Sequence, residues 1–237
     1  MDSVDLLAFG PHPDDIEIGL GATIAKHVAM GLSVGLCDLT AGEMGSNGTV
    51  GERLAEADAA RDVLGASWRT NLRWTDRAIG TDAGHMRQAA ALVRQARPKV
   101  VAIPYWSDRH PDHVAASRVV AEAVFSSGLR RYEADGAPWK PEWVCYYFIN
   151  DSVAPSFVID VSETYAVKRK ALACHASQFR PSGGDVVRTR LTSDRFTQLI
   201  ESRDAQFGAQ IGVEYAEGFI VRELVARPSL LKTLERA

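Results

Sequence analysis

Val4-Asp5-Leu6-Leu7-Ala8-Phe9 leads directly into Gly10-Pro11-His12-Pro13-Asp14-Asp15. The first six residues are a short apolar run of the kind that forms a buried strand. A helical pattern starts soon after, from about Ile18, so a histidine and two adjacent carboxylates occupy a tight strand-to-helix turn. Pro11 and Pro13 are fixed in φ and stiffen it. Much later the arrangement recurs. Lys99 to Tyr105 reads as a strand, and Arg109-His110-Pro111-Asp112-His113 follows it and opens a helix with proline near its first turn.

The segments between fit one pattern. Ile18 to Met30 has helical spacing and stops at Gly31; Val34 to Leu39 is a strand; Thr40 to Thr49 is a glycine-rich loop of a length that is often functional. Glu52 to Leu64 is a helix ending at Gly65, Thr70 to Trp74 a strand with Asp76-Arg77 in its loop, and Gly84 to Ala96 a helix stopped by Pro98. With the helix from Pro111 to Ser126 this makes a repeated strand-helix unit. It predicts an α/β fold: a Rossmann-like parallel-core sheet, strand order 3-2-1-4-5, flanked by helices. After Gly128 the pattern changes. Val144 to Ile149 and Phe157 to Val161 read as strands, Ser162 to Ser177 as a helix, Ser182-Gly183-Gly184 as a loop, Ser193 to Gln210 as a long helix, and Gly218 to Leu224 as a closing strand. The chain therefore reads as a single domain, 1–237, with a Rossmann-like half at 1–128 and an α+β extension at 129–237 packed on it.

Composition excludes several functions. A net charge of -3 with no basic stripe argues against nucleic acid as a partner. The three cysteines, Cys37, Cys145 and Cys174, are widely spaced and odd in number, which fits neither a disulfide framework nor a cysteine zinc site. No apolar run approaches a membrane span, and the N-terminus has no leader-like segment, so a cytoplasmic protein without membrane contact is expected. The first turn lacks the G-x-G-x-x-G of a dinucleotide site, and its carboxylates would repel a pyrophosphate.

The topology supplies the chemistry. In the 3-2-1-4-5 order, strands 1 and 4 are neighbours at the switch point, where ligands bind outside the carboxyl ends. Both His/Asp loops lie there. Two neutral imidazoles and one carboxylate, His12, His113 and Asp15, make a hydrolytic zinc site with a position left for water. Zinc lowers the pKa of bound water to about 7 and polarises a carbonyl; Fe2+ suits the same donors. Asp14 is the spare carboxylate and the candidate base. His110, one helical turn from His113, is the candidate acid or oxyanion stabiliser, and Asp112 the candidate to hold its tautomer. The plainer alternative makes each loop only a rigid helix start, with Asp as the N-cap. Two such loops at neighbouring strand ends favour the metal. His27, His85 and His175 have no such company and read as ordinary histidines.

At these residues the chain resembles the LmbE/PIG-L-type zinc-dependent N-deacetylases of amino sugars. Pro11 to Asp15 matches their (A/G)-H-P-D-D motif apart from proline in the small-residue place, and His110 to His113 matches H-P-D-H in full. The resemblance implies zinc on His12, Asp15 and His113, Asp14 as base and His110 assisting. A nearer likeness is to the bacillithiol-pathway branch, which deacetylates N-acetylglucosaminyl-malate. It rests on Cys37 to Thr40, Ser46 to Thr49, Arg53, Asn71 to Arg73 with Asp76-Arg77, and His175 to Phe179. That branch implies a homo-oligomer, often a hexamer.

Malate carries carboxylates, so cationic groups are expected near the pocket, Arg53 first and Arg109 second. Asp76 is placed to accept from sugar hydroxyls, with Ser46, Asn47 and Gln178 as further substrate contacts. Plainer roles are an exposed helix position for Arg53, a turn for Asp76 and a helix-end cap for Gln178. The expected activity is hydrolysis of an N-acetyl amide on a glucosamine conjugate, N-acetylglucosaminyl-malate first, with another N-acetylated sugar as the alternative substrate. Rival readings are a non-haem iron oxygenase, which uses a similar donor set, and a non-catalytic metal- or sugar-binding protein; neither explains Asp14 and His110 together.

Overall fold

The computed structural model describes residues 1–183 and 185–226; of the expected 182–184 loop, Gly184 lies outside the described residues. Its elements are β1 (Leu6–Gly10), α1 (Asp15–Ala29), β2 (Val34–Thr40), α2 (Val50–Leu64), β3 (Trp68–Trp74), α3 (Ala83–Ala96), β4 (Val100–Pro104), α4 (Pro111–Ser127), β5 (Trp143–Tyr147), β6 (Phe157–Asp160), α5 (Tyr165–Cys174), α6 (Ala176–Phe179), α7 (Asp194–Ile211) and β7 (Ala216–Ile220). They form a seven-stranded sheet in the order β3-β2-β1-β4-β5-β7-β6. The pairs from β3 through β5 are parallel, while β7 runs antiparallel to both β5 and β6. The expected order 3-2-1-4-5 is therefore present, and the later strands extend the same sheet.

β1 is buried along its whole length because helices cover both faces. Leu6 and Ala8 belong to a core with α1, α5 and α7, including Ile16, Leu172 and Ile200. Leu7 and Phe9 point the other way, into a core with α3 and α4 that includes Val93 and Val120. Several helix starts are written locally. Thr49 and Glu52 close a reciprocal capping box on α2, and the Asp82 side chain accepts from the Gly84 N–H at the start of α3.

Two helices differ from the expectation. α1 starts at Asp15, not near Ile18, and is broken at Leu20 (φ -145°, ψ 23°). At the break Arg203 Nη2 donates to the Ile18 carbonyl at 2.9 Å, and Glu217 accepts from the Ala22 and Thr23 N–H groups at 3.2 and 2.7 Å. Side chains thus replace the helix's own missing bonds. Lys168, fully buried, joins the clamp by donating to Glu217 and Asp204, both at 2.7 Å. The helix expected from Ser162 to Ser177 begins at Tyr165, because the Asp160 carboxylate accepts from Ser162 N and Oγ and holds a turn there. It breaks at His175, after which Glu56 of α2 accepts from Ser177 N and Oγ, both at 2.7 Å.

Candidate metal centre

The loops after β1 and β4 meet at the carboxyl ends of adjacent strands. His12, Asp15 and His113, all buried, each offer a donor atom within 4.8 Å of the others. One Asp15 oxygen lies 2.9 Å from His12 Nδ1 and the other 3.4 Å from His113 Nε2. A tetrahedral ion with bonds of about 2.1 Å has donor-to-donor edges of about 3.4 Å, so the spacing suits zinc.

The far side of each ring strengthens the fit. His12 Nε2 faces Asp112 at 3.3 Å and Asp76 at 3.4 Å. His113 Nδ1 faces Asp108 at 3.1 Å, and Asp108 is itself held by Asn150 N and Nδ2, each donating at 3.0 Å. Imidazoles that bind metal through one nitrogen commonly give the other N–H to a carboxylate. A second donor group, His12, His110 and Asp112, is also close. It is the poorer site, because the Asp112 carboxylate already accepts from Arg77 N and Nη1 at 2.9 Å.

Electrostatics agree. Burial works against a charged His12, yet Asp112, Asp15 and Asp76 hold its pKa well above the imidazole range. Burial likewise opposes a charged His113, but Asp15 and Asp108 raise it to about 9. Burial should also raise Asp15, and the two histidines instead keep it well below the usual carboxylate value. A buried cluster this rich in carboxylates is complementary to a cation.

Asp14 is the exceptional residue of the loop. It caps α1 by position, but its side chain makes no capping hydrogen bond, and its backbone is left-handed at φ 116°. The plain helix-start reading thus fails for Asp14. Non-glycine residues are held in such conformations mainly where function demands it. The carboxylate is 3% exposed and lines the cavity. Burial pushes its pKa up to about 6, against the pull of the Arg53 guanidinium.

His110 caps α4, its ring 5.0 Å from that of His12 and 4.7 Å from that of His113. Its Nδ1 accepts from the Asp112 backbone N–H at 3.2 Å. A neutral ring in this position must carry its proton on Nε2. Burial, then His113 and His12, lower its pKa and favour that neutral form. The tautomer is therefore set by the Asp112 main chain; the Asp112 carboxylate, expected to do this, faces His12 and Arg77 instead.

The cavity has a volume of about 480 Å³, and Ser46, Asp76, Arg109 and Gln178 are among the residues that line it. Asn47 does not line it. Its side chain ties down a distant loop, donating to Val187 O at 2.8 Å and accepting from Val187 N at 2.9 Å. Gln178 Nε2 donates to Asn47 O at 2.7 Å. Arg53 is 5% exposed, not a surface helix residue, and its guanidinium donates to Gly42 O (2.8 Å), Pro13 O (2.9 Å) and Asp14 (3.4 Å). The sequence singles out Arg77 without assigning it to Asp112, and it does not single out Asp108, Asn150 or Arg190. Asp108 stands just before the second motif and Asn150 just past β5, so position alone could have flagged them; Arg190 has no such signal.

The profile of the PIG-L family, GlcNAc-PI de-N-acetylase, matches residues 7–124. The chain is 31% identical over 234 residues to the diacetylchitobiose deacetylase of Thermococcus kodakarensis, covering 92% of this chain and 82% of that one. The chain belongs to the PIG-L/LmbE family of N-deacetylases. It is also 29% identical over 247 residues to the 1D-myo-inositol 2-acetamido-2-deoxy-alpha-D-glucopyranoside deacetylase of Mycobacterium leprae, covering 73% of this chain and 80% of that one. A crystal structure of a conserved protein from Thermus thermophilus superposes with a TM-score of 0.87 at 36% identity, covering 97% of this chain and all of the other. This enzyme is accordingly a metal-dependent amide hydrolase for N-acetylglucosamine-type substrates. Among the described residues no helix is long and apolar enough to cross a membrane.

Proposed function

We propose that this deacetylase removes the N-acetyl group from an N-acetylglucosamine conjugate, N-acetylglucosaminyl-malate of the bacillithiol pathway being its foremost substrate. It does so with zinc held by His12, Asp15 and His113, as a homo-oligomer in the cytoplasm. The observation that carries the chemistry is the pairing of a metal-type donor set with a buried carboxylate, Asp14, that no helix cap consumes. The free cysteines Cys37, Cys145 and Cys174 fit a reducing compartment. Diacetylchitobiose and the inositol glucoside named for the relatives are the alternative substrates.

The metal, when bound, supplies a Lewis acid and an acidified water. The chain supplies the rest. Asp14 takes a proton from the attacking water as the water oxygen bonds to the acetyl carbon. His110, with its proton on Nε2, donates a hydrogen bond to the oxygen on which charge develops. The C–N bond then breaks as Asp14 passes its proton to the leaving nitrogen, the remaining hydroxyl proton of the new carboxyl group goes to the amine, and acetate and the protonated amine depart.

The test is stoichiometric release of acetate and amine from N-acetylglucosaminyl-malate under anaerobic conditions by the zinc-loaded protein. Strict dependence on oxygen would transfer the site to the iron-oxygenase reading. Binding without release of either product would make the protein a sugar-binding one.

A further inference from the structure

The cavity holds arginines of two kinds. Arg53 and Arg77 are committed to the protein, the first to Asp14 and two carbonyls, the second to Asp112. Arg109 and Arg190 line the same cavity, and among the described residues neither guanidinium has a hydrogen-bond or carboxylate partner. Arg190 is the more telling of the pair, because it is half-buried. Removing part of a charge from water without a partner is costly, and an anion arriving in the cavity offsets that cost.

Arg190 is also held in place. Its guanidinium carbon lies 5.2 Å from the centre of the Phe196 ring, a second cavity residue. The loop that carries it is tied on both sides. Asn47 makes its two bonds to Val187, and the turn from Thr189 to Thr192 is closed by bonds of 3.0 and 3.3 Å. Anchoring of this kind presents a planar fork in a fixed direction, as recognition of a carboxylate or phosphate requires.

Charge is segregated in depth. The carboxylates around His12 and His113 are buried, the one buried guanidinium of the lining, that of Arg53, is occupied by Asp14 and two carbonyls, and the unpartnered guanidinium groups lie on the more exposed lining. We infer that Arg190, with Arg109, forms an anion-binding subsite that selects N-acetylated sugars bearing a carboxylate or phosphate away from the amide. The inference rests on the deacetylase reading above and moves the charge-recognising role from Arg53 to Arg190.

Selectivity tests it. Values of kcat/KM are measured for N-acetylglucosaminyl-malate, N-acetylglucosamine 1-phosphate and diacetylchitobiose on wild type, Arg190→Gln and Arg190→Lys. The ratio of the better acidic substrate to the disaccharide should fall about 10- to 100-fold in Arg190→Gln, the loss of one charged hydrogen-bond pair. Arg190→Lys should fall between, since a point charge keeps attraction but not the fork. Which acidic substrate loses more identifies carboxylate or phosphate as the group read. A ratio unchanged in both variants overturns the inference while leaving the deacetylase standing. Calorimetric binding of the amine products, glucosaminyl-malate and glucosamine 1-phosphate, reads the subsite without turnover. Equal affinity of wild type and Arg190→Gln for both glucosaminyl-malate and glucosamine 1-phosphate would also overturn it, whether or not the amide is cut.

Discussion

Asp14 stores strain that can be separated from its chemistry by comparing two substitutions, Asp14→Ala and Asp14→Gly. Both remove the carboxylate, its desolvation and its contact with Arg53, so those effects cancel between them. What differs is the Cβ atom at a backbone φ of 116°. A side chain there costs about 1–3 kcal/mol, and glycine escapes that cost. At an ordinary site glycine is the weaker choice by about 0.4–1 kcal/mol, because its unfolded chain is freer. The net expectation is that Asp14→Gly is more stable than Asp14→Ala by about 0.5–2 kcal/mol, reversing the usual order. For a chain of this size that is a difference of about 1–8 °C in unfolding temperature. The assay is thermal and urea unfolding of both proteins stripped of metal, so that metal affinity does not enter. Turnover by both, reloaded with zinc, should fall about 10²- to 10⁴-fold, the usual loss of a general base. An alanine variant as stable as the glycine variant would mean that the backbone holds no strain at Asp14. Activity within a few-fold of wild type would move the base elsewhere.

Other consequences follow from named contacts. Asp108→Asn should weaken zinc retention about 10- to 100-fold in chelator competition, because the His113 ring loses the carboxylate behind it. Lys168→Met should cost about 3–5 kcal/mol in urea unfolding, since it leaves Asp204 and Glu217 buried beside each other with one cation removed. His110→Ala should lower kcat more than it raises KM, the signature of a contact made as charge develops; a raised KM with kcat intact would make His110 a sugar contact instead.

The parallel half of the fold was legible because buried parallel strands leave near-continuous apolar runs and helix ends leave caps. The Leu6 to Phe9 run and the Thr49 to Glu52 box are examples. The meeting of His12, Asp15 and His113 was legible for a different reason. Strand order decides which loops are neighbours, and that order follows from the repeated strand-helix pattern. What the sequence hid depends on side-chain direction. Nothing local shows that Asn47 turns away from the cavity to hold Val187, or that Arg53 reaches back to Pro13 and Asp14. Arg190 was invisible because its loop has no periodicity and lies far along the chain from the motifs.

The early start of α1 connects these observations. Strain at one residue persists only where the surroundings over-determine its backbone. Around Asp14 they do. Arg53 takes the Pro13 carbonyl, Tyr147 Oη donates to the Phe9 carbonyl at 2.7 Å, and Thr40 N and Oγ1 donate to the Pro11 carbonyl at 3.0 and 2.9 Å. At the far end of the same turn Arg203 caps Ile18, and the Lys168–Glu217 pair restarts the helix beyond Leu20. Gly19 lets this segment press on Tyr147, where a Cβ would come within 2.0 Å of the ring. Lys168, Arg203 and Glu217 thus help fix the backbone from which Asp14 and Asp15 project, although none of them belongs to the donor set around His12 and His113. Asp15 turns towards the histidines, while Asp14, held in a conformation it would not choose, is directed into the cavity beside them.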